Sequence, residues 1–419
     1  MGFADSYFEK QKEFQVKIEG EPNADLKYIV VIPCYYEFEI LSTLNSIWDS
    51  ERPRAPIDVI VVINSAENSD NQIIDQNKKT YAEVKSWIEN HEDSLLRFFV
   101  ILEENLPEKF AGAGLARKIG MDQAIFRFNK INSDGLIISI DADSEIKSNY
   151  FTEIEKHLDQ FPKTNAITTY FEHPIAGNEF KQEIYDAVSI YELYLRYYKI
   201  ATKYTGFPYS YYTIGSCFAV TAKAYMKQGG MNKKQAGEDF YFLHKIFPLG
   251  QCFEINSACV YPSPRPSNRV PFGTGPMVES IANSNEEFLS YDLRAFSDLK
   301  KFFQIIDQLY KLPTNELAEI LYQLPLPIVD FLSNHDIHSA LEEINDNSSS
   351  LKTFKKRFFD WFNAFRILKY LNATSEKFYP KTILIDEAEK LLKMIKKDFS
   401  TAKTYSDYLE MFRGLEREF

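Results

Sequence analysis

The chain has 419 residues and carries 48 Lys plus Arg against 60 Asp plus Glu, a formal charge of −12 at neutral pH. A hydrophobic share of 45% and a charged share of 26% are those of a globular protein long enough for two or three domains, and the net acidity argues against broad nucleic-acid binding. The four cysteines, Cys34, Cys217, Cys252 and Cys259, form neither a CxxC pair nor a zinc spacing, so they read as reduced thiols rather than a disulfide framework.

Residues 1–20 are charged and mixed, without the apolar centre of a signal peptide, and no stretch reaches the roughly 18 apolar residues of a membrane span. The expectation is a cytoplasmic protein, with peripheral contact as the membrane association left open. The 26 Tyr and 34 Phe suit carbohydrate faces, although core packing is the commoner use of such rings. The lone His335–His338 pair lies in a polar stretch and carries no metal-site pattern.

From residue 28 to 143, short apolar runs alternate with stretches of helical spacing. The runs are Tyr28–Pro33, Ile57–Asn64, Leu96–Leu102 and Gly135–Ile140; the helical stretches are Glu37–Asp49, Asn71–Asn90 and Ala113–Asn129. That alternation predicts a largely parallel sheet covered by helices, which takes its ligand at the C-terminal strand ends.

The pattern from 144 to 275 is mixed. It predicts a strand at Ala166–Phe171, a long helix at Glu179–Thr205, a Tyr-rich loop (Tyr209, Tyr211, Tyr212), a strand near Thr213–Val220 and a helix opening at Gly237. The Pro-rich segment Tyr261–Pro271 marks a boundary. Beyond it the chain reads as helical, with amphipathic stretches at Ser290–Leu312, Asn315–Leu324, Leu351–Leu371 and Ile383–Phe399. No internal repeat of fixed period and no long low-complexity tract is present.

The run Gly135–Ile140 ends in Asp141-Ala142-Asp143. On an extended chain the two aspartates face the same way, and two carboxylates aimed at one point are costly unless a cation lies between them. Mg²⁺ and Mn²⁺ favour such oxygen ligands and commonly bring a phosphate with them. This is the strongest candidate in the chain for a metal-bridged nucleotide.

Five stretches in register over about 240 residues resemble glycosyltransferase family 2, the inverting nucleotide-sugar transferases of the GT-A fold. They are Ile32-Pro-Cys-Tyr-Tyr-Glu37, Val61-Val-Ile-Asn-Ser65, Gly112-Ala-Gly-Leu-Ala-Arg-Lys-Ile-Gly120, Asp141-Ala-Asp143 and Gly237-Glu-Asp239. The resemblance implies a nucleotide-sugar site lined by Pro33, Tyr35, Glu37, Asn64, Gly112, Arg117 and Asp141. A divalent Mn²⁺ or Mg²⁺ would sit at Asp141 and Asp143 and act as Lewis acid toward the leaving diphosphate. Arg117 would add a fixed positive charge near the phosphates or the metal. Asp239 would be the general base for the acceptor hydroxyl, with Glu238 orienting it or binding acceptor hydroxyls. Outside that register, two acidic residues at a helix start are simply favourable there.

Arg265 and Arg269, in the Pro-rich segment, could clamp phosphate or an acidic acceptor, with Gly273 and Gly275 as hinges. A structured linker between domains is the other reading. The chain departs from the family pattern at Tyr36 (usually Asn), Asn64 (often Asp) and Lys118 (usually Asn), and no histidine falls between His244 and His335 to join a metal.

Together these features describe an α/β protein of GT-A type, a mostly parallel sheet flanked by helices, followed by an all-helical C-terminal extension. Residues 1–143 would form the nucleotide-sugar half, 144–275 the acceptor and catalytic half, and 276–419 the extension. The expected activity moves a hexose from a nucleotide-diphosphate sugar to a saccharide or small hydroxylated acceptor. Two alternatives stand beside it: a retaining transferase similar to mannosylglycerate synthase, in which Asp239 is not an essential base, and a non-catalytic nucleotide-binding scaffold. A sugar-phosphate nucleotidyltransferase would carry a Gly-rich, Arg-Lys-containing loop after the first strand, where this chain has Cys34-Tyr35-Tyr36. Nothing in the sequence sets the oligomeric state.

Overall fold

The computed structural model describes residues 2–235, 237–267, 273–397 and 402–417. Two compact units emerge, Met1–Phe180 with Tyr212–Met277, and Lys181–Tyr211 with Val278–Phe419.

The first unit is built on one eight-stranded sheet. Its strands are β1 (Tyr28–Cys34), β2 (Ile57–Ala66), β3 (Leu96–Leu106), β4 (Leu136–Ser139), β5 (Ser144–Ile146), β6 (Ala166–Phe171), β7 (Phe218–Thr221) and β8 (Cys252–Pro262), in the order β3-β2-β1-β4-β7-β6-β8-β5. Four of the seven neighbour pairings are parallel, including all three among β3, β2, β1 and β4. Every residue of β1 is buried, as the continuous apolar run demands of a strand covered on both faces. Pro33 pairs with Val62 beyond the last β1–β4 partner, Val31 with Ser139, so its missing N–H interrupts the end of a ladder and not the middle.

Helix Ala113–Lys130 lies on β1 and β2 and shows why Gly120 is a glycine. A Cβ there would overlap Val31 and come within 3.1 Å of Val62 Cγ2. The polar residues of this helix are buried too. Asp122 accepts from Tyr7 Oη at 2.7 Å, Tyr225 Oη at 2.8 Å and Lys118 Nζ at 2.8 Å. Arg127 Nε donates to the buried Asp58 of β2 at 2.7 Å. Lys118, a departure from the family pattern, is therefore a packed ion-pair member that ties down the N-terminal segment.

Several expectations need correction. The Thr213–Val220 strand shrinks to Phe218–Thr221, because 213–217 form a loop and turn. Strand β8 was not legible: Glu254, Asn256 and Ser257 break its apolar pattern. The stretch Leu351–Leu371 is two helices, Leu351–Trp361 and Ala364–Lys377, and Asn363 caps the second by accepting from Arg366 N at 3.1 Å. Helices Leu326–Ser333, Ile337–Asp346 and Tyr405–Arg417 were also missed.

The second unit is helical among its described residues apart from a two-residue β ladder, Leu289–Ser290 with Thr382–Ile383. Its core uses the phenylalanine excess. Phe302, Phe303, Phe358 and Phe362 cluster there, meeting edge to face with centroids 5.4–5.6 Å apart for Phe303–Phe362, Phe302–Phe362 and Phe302–Phe358 and stacked for Phe358–Phe362. Helices Gln182–Tyr204 and Tyr405–Arg417 are joined through Glu192. This fully buried carboxylate receives Arg196 Nε at 2.9 Å, Arg413 Nε at 2.7 Å and Arg413 Nη2 at 2.9 Å.

Candidate functional site

The C-terminal ends of β1, β2 and β4 carry the candidate site, all of it within the first unit. The Asp-Ala-Asp motif is not an extended continuation of β4. The strand stops at Ser139 and residues 142–143 turn into β5, with Ser144 N donating to Asp141 O at 3.1 Å. Alternation along a strand therefore does not set the directions of the two carboxylates; the turn does. Ala142 is buried beneath it, and its carbonyl accepts from Thr43 Oγ1 at 2.9 Å.

Arg117 is the hub of one half of the site. It projects from helix Ala113–Lys130, and its side chain is 4% exposed. Its Nε donates to Ser139 Oγ at 3.1 Å, Nη1 pairs with Glu238 Oε1, and Nη2 pairs with Asp141 Oδ1. The surrounding backbone is shaped to admit this contact. A Cβ on Gly215 would overlap Arg117 Nη2. A Cβ on Gly114 would overlap the Lys234 carbonyl oxygen and sit 3.0 Å from Glu238 Cβ.

Helix Glu238–Ile246 begins after Gly237, whose φ of +68° is a left-handed conformation that a glycine adopts without strain. Glu238 turns inward to Arg117. Asp239 is half-buried, and its Oδ1 accepts from Phe240 N at 2.7 Å. Burial pushes the Asp239 carboxyl above the ordinary carboxylate range and the charge of Asp141 adds to this, while Arg117 and the Phe240 N–H work in the opposite direction.

The other half of the site is organised by Glu37 and Arg265. Strand β5 pairs with β8 so that Ser144 lies opposite Pro262, which carries the following segment past the Asp-Ala-Asp turn. Ser263 N donates to Asp143 O at 3.1 Å. Arg265 then reaches Glu37 with Nη1 at 3.0 Å and Nη2 at 2.5 Å, and Asp143 Oδ2 at 3.5 Å. Glu37 is 1% exposed and also accepts from the N–H groups of Phe38 and Glu39 at 2.9 and 3.1 Å. Arg265, one of the two expected clamp residues, is held by these carboxylates; Arg269 lies outside the described residues.

The remaining predicted residues separate by role. Asn64 is buried and bridges two backbone segments: with its amide turned to match the donors and acceptors around it, it donates to Cys34 O at 3.1 Å and accepts from Gly112 N at 3.3 Å. Its own carbonyl accepts from Asn77 Nδ2 at 2.9 Å, and Asn77 Oδ1 accepts from Tyr36 N at 2.9 Å. Asn64 thus fixes the relative height of β1, β2 and the Gly112 turn. Pro33 is buried in β1, and Tyr35 is half-buried just beyond it. Sequence reasoning missed Ser139, Gly215 and the Asn232–Lys234 segment. Of these only Gly215, a glycine between Ile214 and Ser216 in an otherwise bulky loop, gave any signal.

Asp141 and Asp143 are hard oxygen donors, the chemistry that Mg²⁺ or Mn²⁺ takes. Among the described residues no group of three or more His, Cys, Asp or Glu is placed to hold a metal ion. An ion held by these two aspartates alone would need phosphate oxygens and water as its remaining ligands.

No family model and no curated protein matches the chain. Among solved structures it is similar to residues 1–349 of TarS from S. aureus in complex with UDP-GlcNAc, at 14% identity and a TM-score of 0.41 over 81% of this chain and 92% of that one. The same protein in complex with UDP gives 12% identity and 0.39, over 81% and 91%. GalNAc-T7 with UDP, GalNAc and Mn²⁺ gives 16% identity and 0.38, over 82% of this chain and 58% of that one. At this level of identity and superposition, the likeness bears on neither the site residues nor the reaction.

Proposed function

We propose that this chain is a GT-A glycosyltransferase that moves a hexose from a nucleotide-diphosphate sugar to a hydroxyl of a saccharide or small acceptor, with inversion. One observation carries the reading. A buried arginine brings the first aspartate of an Asp-x-Asp turn and the first acid of a Glu-Asp pair onto one guanidinium, at the ligand-binding end of a parallel sheet.

Asp141 and Asp143 would hold a divalent ion, which supplies Lewis-acid stabilisation of the departing diphosphate. Asp239 takes the proton from the acceptor hydroxyl. The acceptor oxygen forms its bond to the anomeric carbon as the bond from that carbon to the phosphate oxygen breaks, and the electron pair leaves with the nucleoside diphosphate. A raised carboxyl suits this task, because a base works best when its pKa lies closer to the working pH. Arg265, seated on Glu37, places a second cation beside Asp143, where it can face the diphosphate. Tyr35, Pro33 and the Gly112 turn would line the nucleotide-sugar space.

The test is donor hydrolysis and transfer over a panel of UDP-, GDP- and dTDP-hexoses with Mn²⁺, with Mg²⁺ and with chelator, beside Asp141→Asn/Asp143→Asn. Metal-dependent release of one nucleoside diphosphate, lost in the double variant, supports the reading. No release and no nucleotide binding in calorimetry would leave it without support. Proton NMR of the first product gives the anomeric outcome, and retention would remove the base role from Asp239.

A further inference from the structure

The position of Arg117 in the sequence suggests a cation for the phosphates, yet its surroundings describe a different task. The side chain is 4% exposed, and its Nε, Nη1 and Nη2 are each engaged by a protein oxygen. Those oxygens belong to Ser139 and Asp141, at and just past the end of β4, and to Glu238, the first residue of helix Glu238–Ile246. Turning the guanidinium toward a phosphate would strand the buried Glu238 carboxylate, whose side chain is also 4% exposed. Two glycines make room for the contact. A side chain at Gly215 would occupy the place of Nη2, and one at Gly114 would collide with the Lys234 carbonyl oxygen and press on the Glu238 side chain.

From this geometry we propose that Arg117 is a positioning residue: it fastens the metal-site aspartate Asp141 to Glu238 and so fixes Asp239, the next residue in the chain, relative to the donor end of β4. The inference rests on the transferase reading above and assigns Arg117 to the alignment of base and donor, with no direct contact to the diphosphate. A planar fork is needed because it meets two carboxylates and a hydroxyl in fixed directions; a lysine ammonium of equal charge imposes no such directions. The Asp141 carboxylate, at 35% exposure, keeps a solvent-facing side for a ligand while its Oδ1 is held.

The experiment uses the full chain and compares wild type with Arg117→Lys, Glu238→Gln, the double variant and Ser139→Ala. Nucleoside diphosphate binding is read by calorimetry with UDP, GDP and dTDP in the presence of Mn²⁺, and kcat and KM are read with the sugar donor that wild type consumes. Arg117→Lys is expected to lower kcat by about 10- to 100-fold, the range for outer partners of a metal site, with nucleotide affinity within about threefold of wild type. The double variant is expected to be no slower than the worse single one, because both changes undo one link. Ser139→Ala, a smaller change at Nε, should lower kcat several-fold with KM unchanged, and it decides the matter if Arg117→Lys does not fold. Nucleotide affinity falling tenfold or more with kcat intact would make Arg117 a phosphate ligand and overturn the proposal, as would unchanged kcat in both variants. A wild type that binds no nucleoside diphosphate overturns the transferase reading, and this inference with it.

Discussion

Arg265 lays both terminal nitrogens of its guanidinium against the carboxylate of Glu37, 228 positions earlier in the chain, at 3.0 and 2.5 Å. Glu37 is buried at 1% exposure and Arg265 is 21% exposed, so the pair is mostly withdrawn from water. Removing one partner of such a pair leaves an uncompensated charge and costs about 3 kcal/mol or more. Arg265→Ala should lower the urea midpoint accordingly, and Arg265→Ala/Glu37→Gln should recover part of the loss. An unchanged midpoint in the single variant would show that the pair does not hold the segment down.

Metal binding provides a readout independent of turnover. Asp141→Asn and Asp143→Asn should each weaken Mn²⁺ binding, followed by electron paramagnetic resonance, by about tenfold or more. Asp122→Asn, whose carboxylate is buried among Tyr7, Tyr225 and Lys118, should leave Mn²⁺ binding as it is. Equal affinity in all three would place the ion elsewhere.

Asp239→Asn should lower kcat by about 10²- to 10⁴-fold, the usual contribution of a positioned general base, while nucleotide binding is retained. Since the wild-type carboxyl is raised, the acid limb of the rate profile should lie above the pH expected for an ordinary aspartate. The sign for stability follows from the same shift. The folded-state pKa exceeds the unfolded one, so the protonated carboxyl favours folding below the unfolded value, and this is lost as pH rises through the folded value. Asp239→Asn should therefore melt higher than wild type at pH 7, the difference shrinking toward about pH 3, where both side chains are neutral. A lower melting temperature at neutral pH would contradict the assignment of burial as the cause.

Gly215→Ala adds one methyl group at the place held by Arg117 Nη2. The guanidinium has to shift, and Asp141 and Glu238 lose their common partner. The expected result is a fall in kcat of about tenfold or more with a stability change of only about 1–3 kcal/mol, the usual cost of overpacking. Kinetics matching wild type would mean that the loop gives way and the arginine does not.

In the helical unit, Glu192 is a comparable buried hub of the opposite sign. Its fully buried carboxylate faces Arg196 and Arg413. Glu192→Leu should cost about 3–5 kcal/mol in chemical denaturation, because two buried cations lose their shared anion. A cost below about 1 kcal/mol would mean that water or other carboxylates take over.

What could be read in advance follows the range of the interactions. Strands β1 and β2 were legible because they are continuous apolar runs buried on both sides. The helix Ala113–Lys130 was legible as a helix, but the partners of its polar residues were not. Arg117 and Lys118 are adjacent, yet one turns to Asp141 and Glu238 and the other to Asp122. Nothing in the spacing of two neighbouring cations distinguishes those destinations. The Asp-Ala-Asp motif follows the C-terminal end of β4 as its apolar run implied, while the turn after Ser139 replaced the expected strand geometry. Strand β8 was hidden because its polar positions mimic a loop. Its register against β5 is what delivers Arg265 to Asp143, so that pairing was beyond any local pattern.

The links that make the site are long in sequence: 121 positions from Arg117 to Glu238 and 122 from Asp143 to Arg265. As the chain leaves the ribosome, the sheet end bearing Asp141 is made well before the acids and cations that complete it. Until residue 238 emerges Arg117 lacks one of its two carboxylates, and until residue 265 emerges Glu37 lacks Arg265. Ribosome-held chains stopped before that point should be silent toward nucleotide, and competence should arrive as a late step in synthesis.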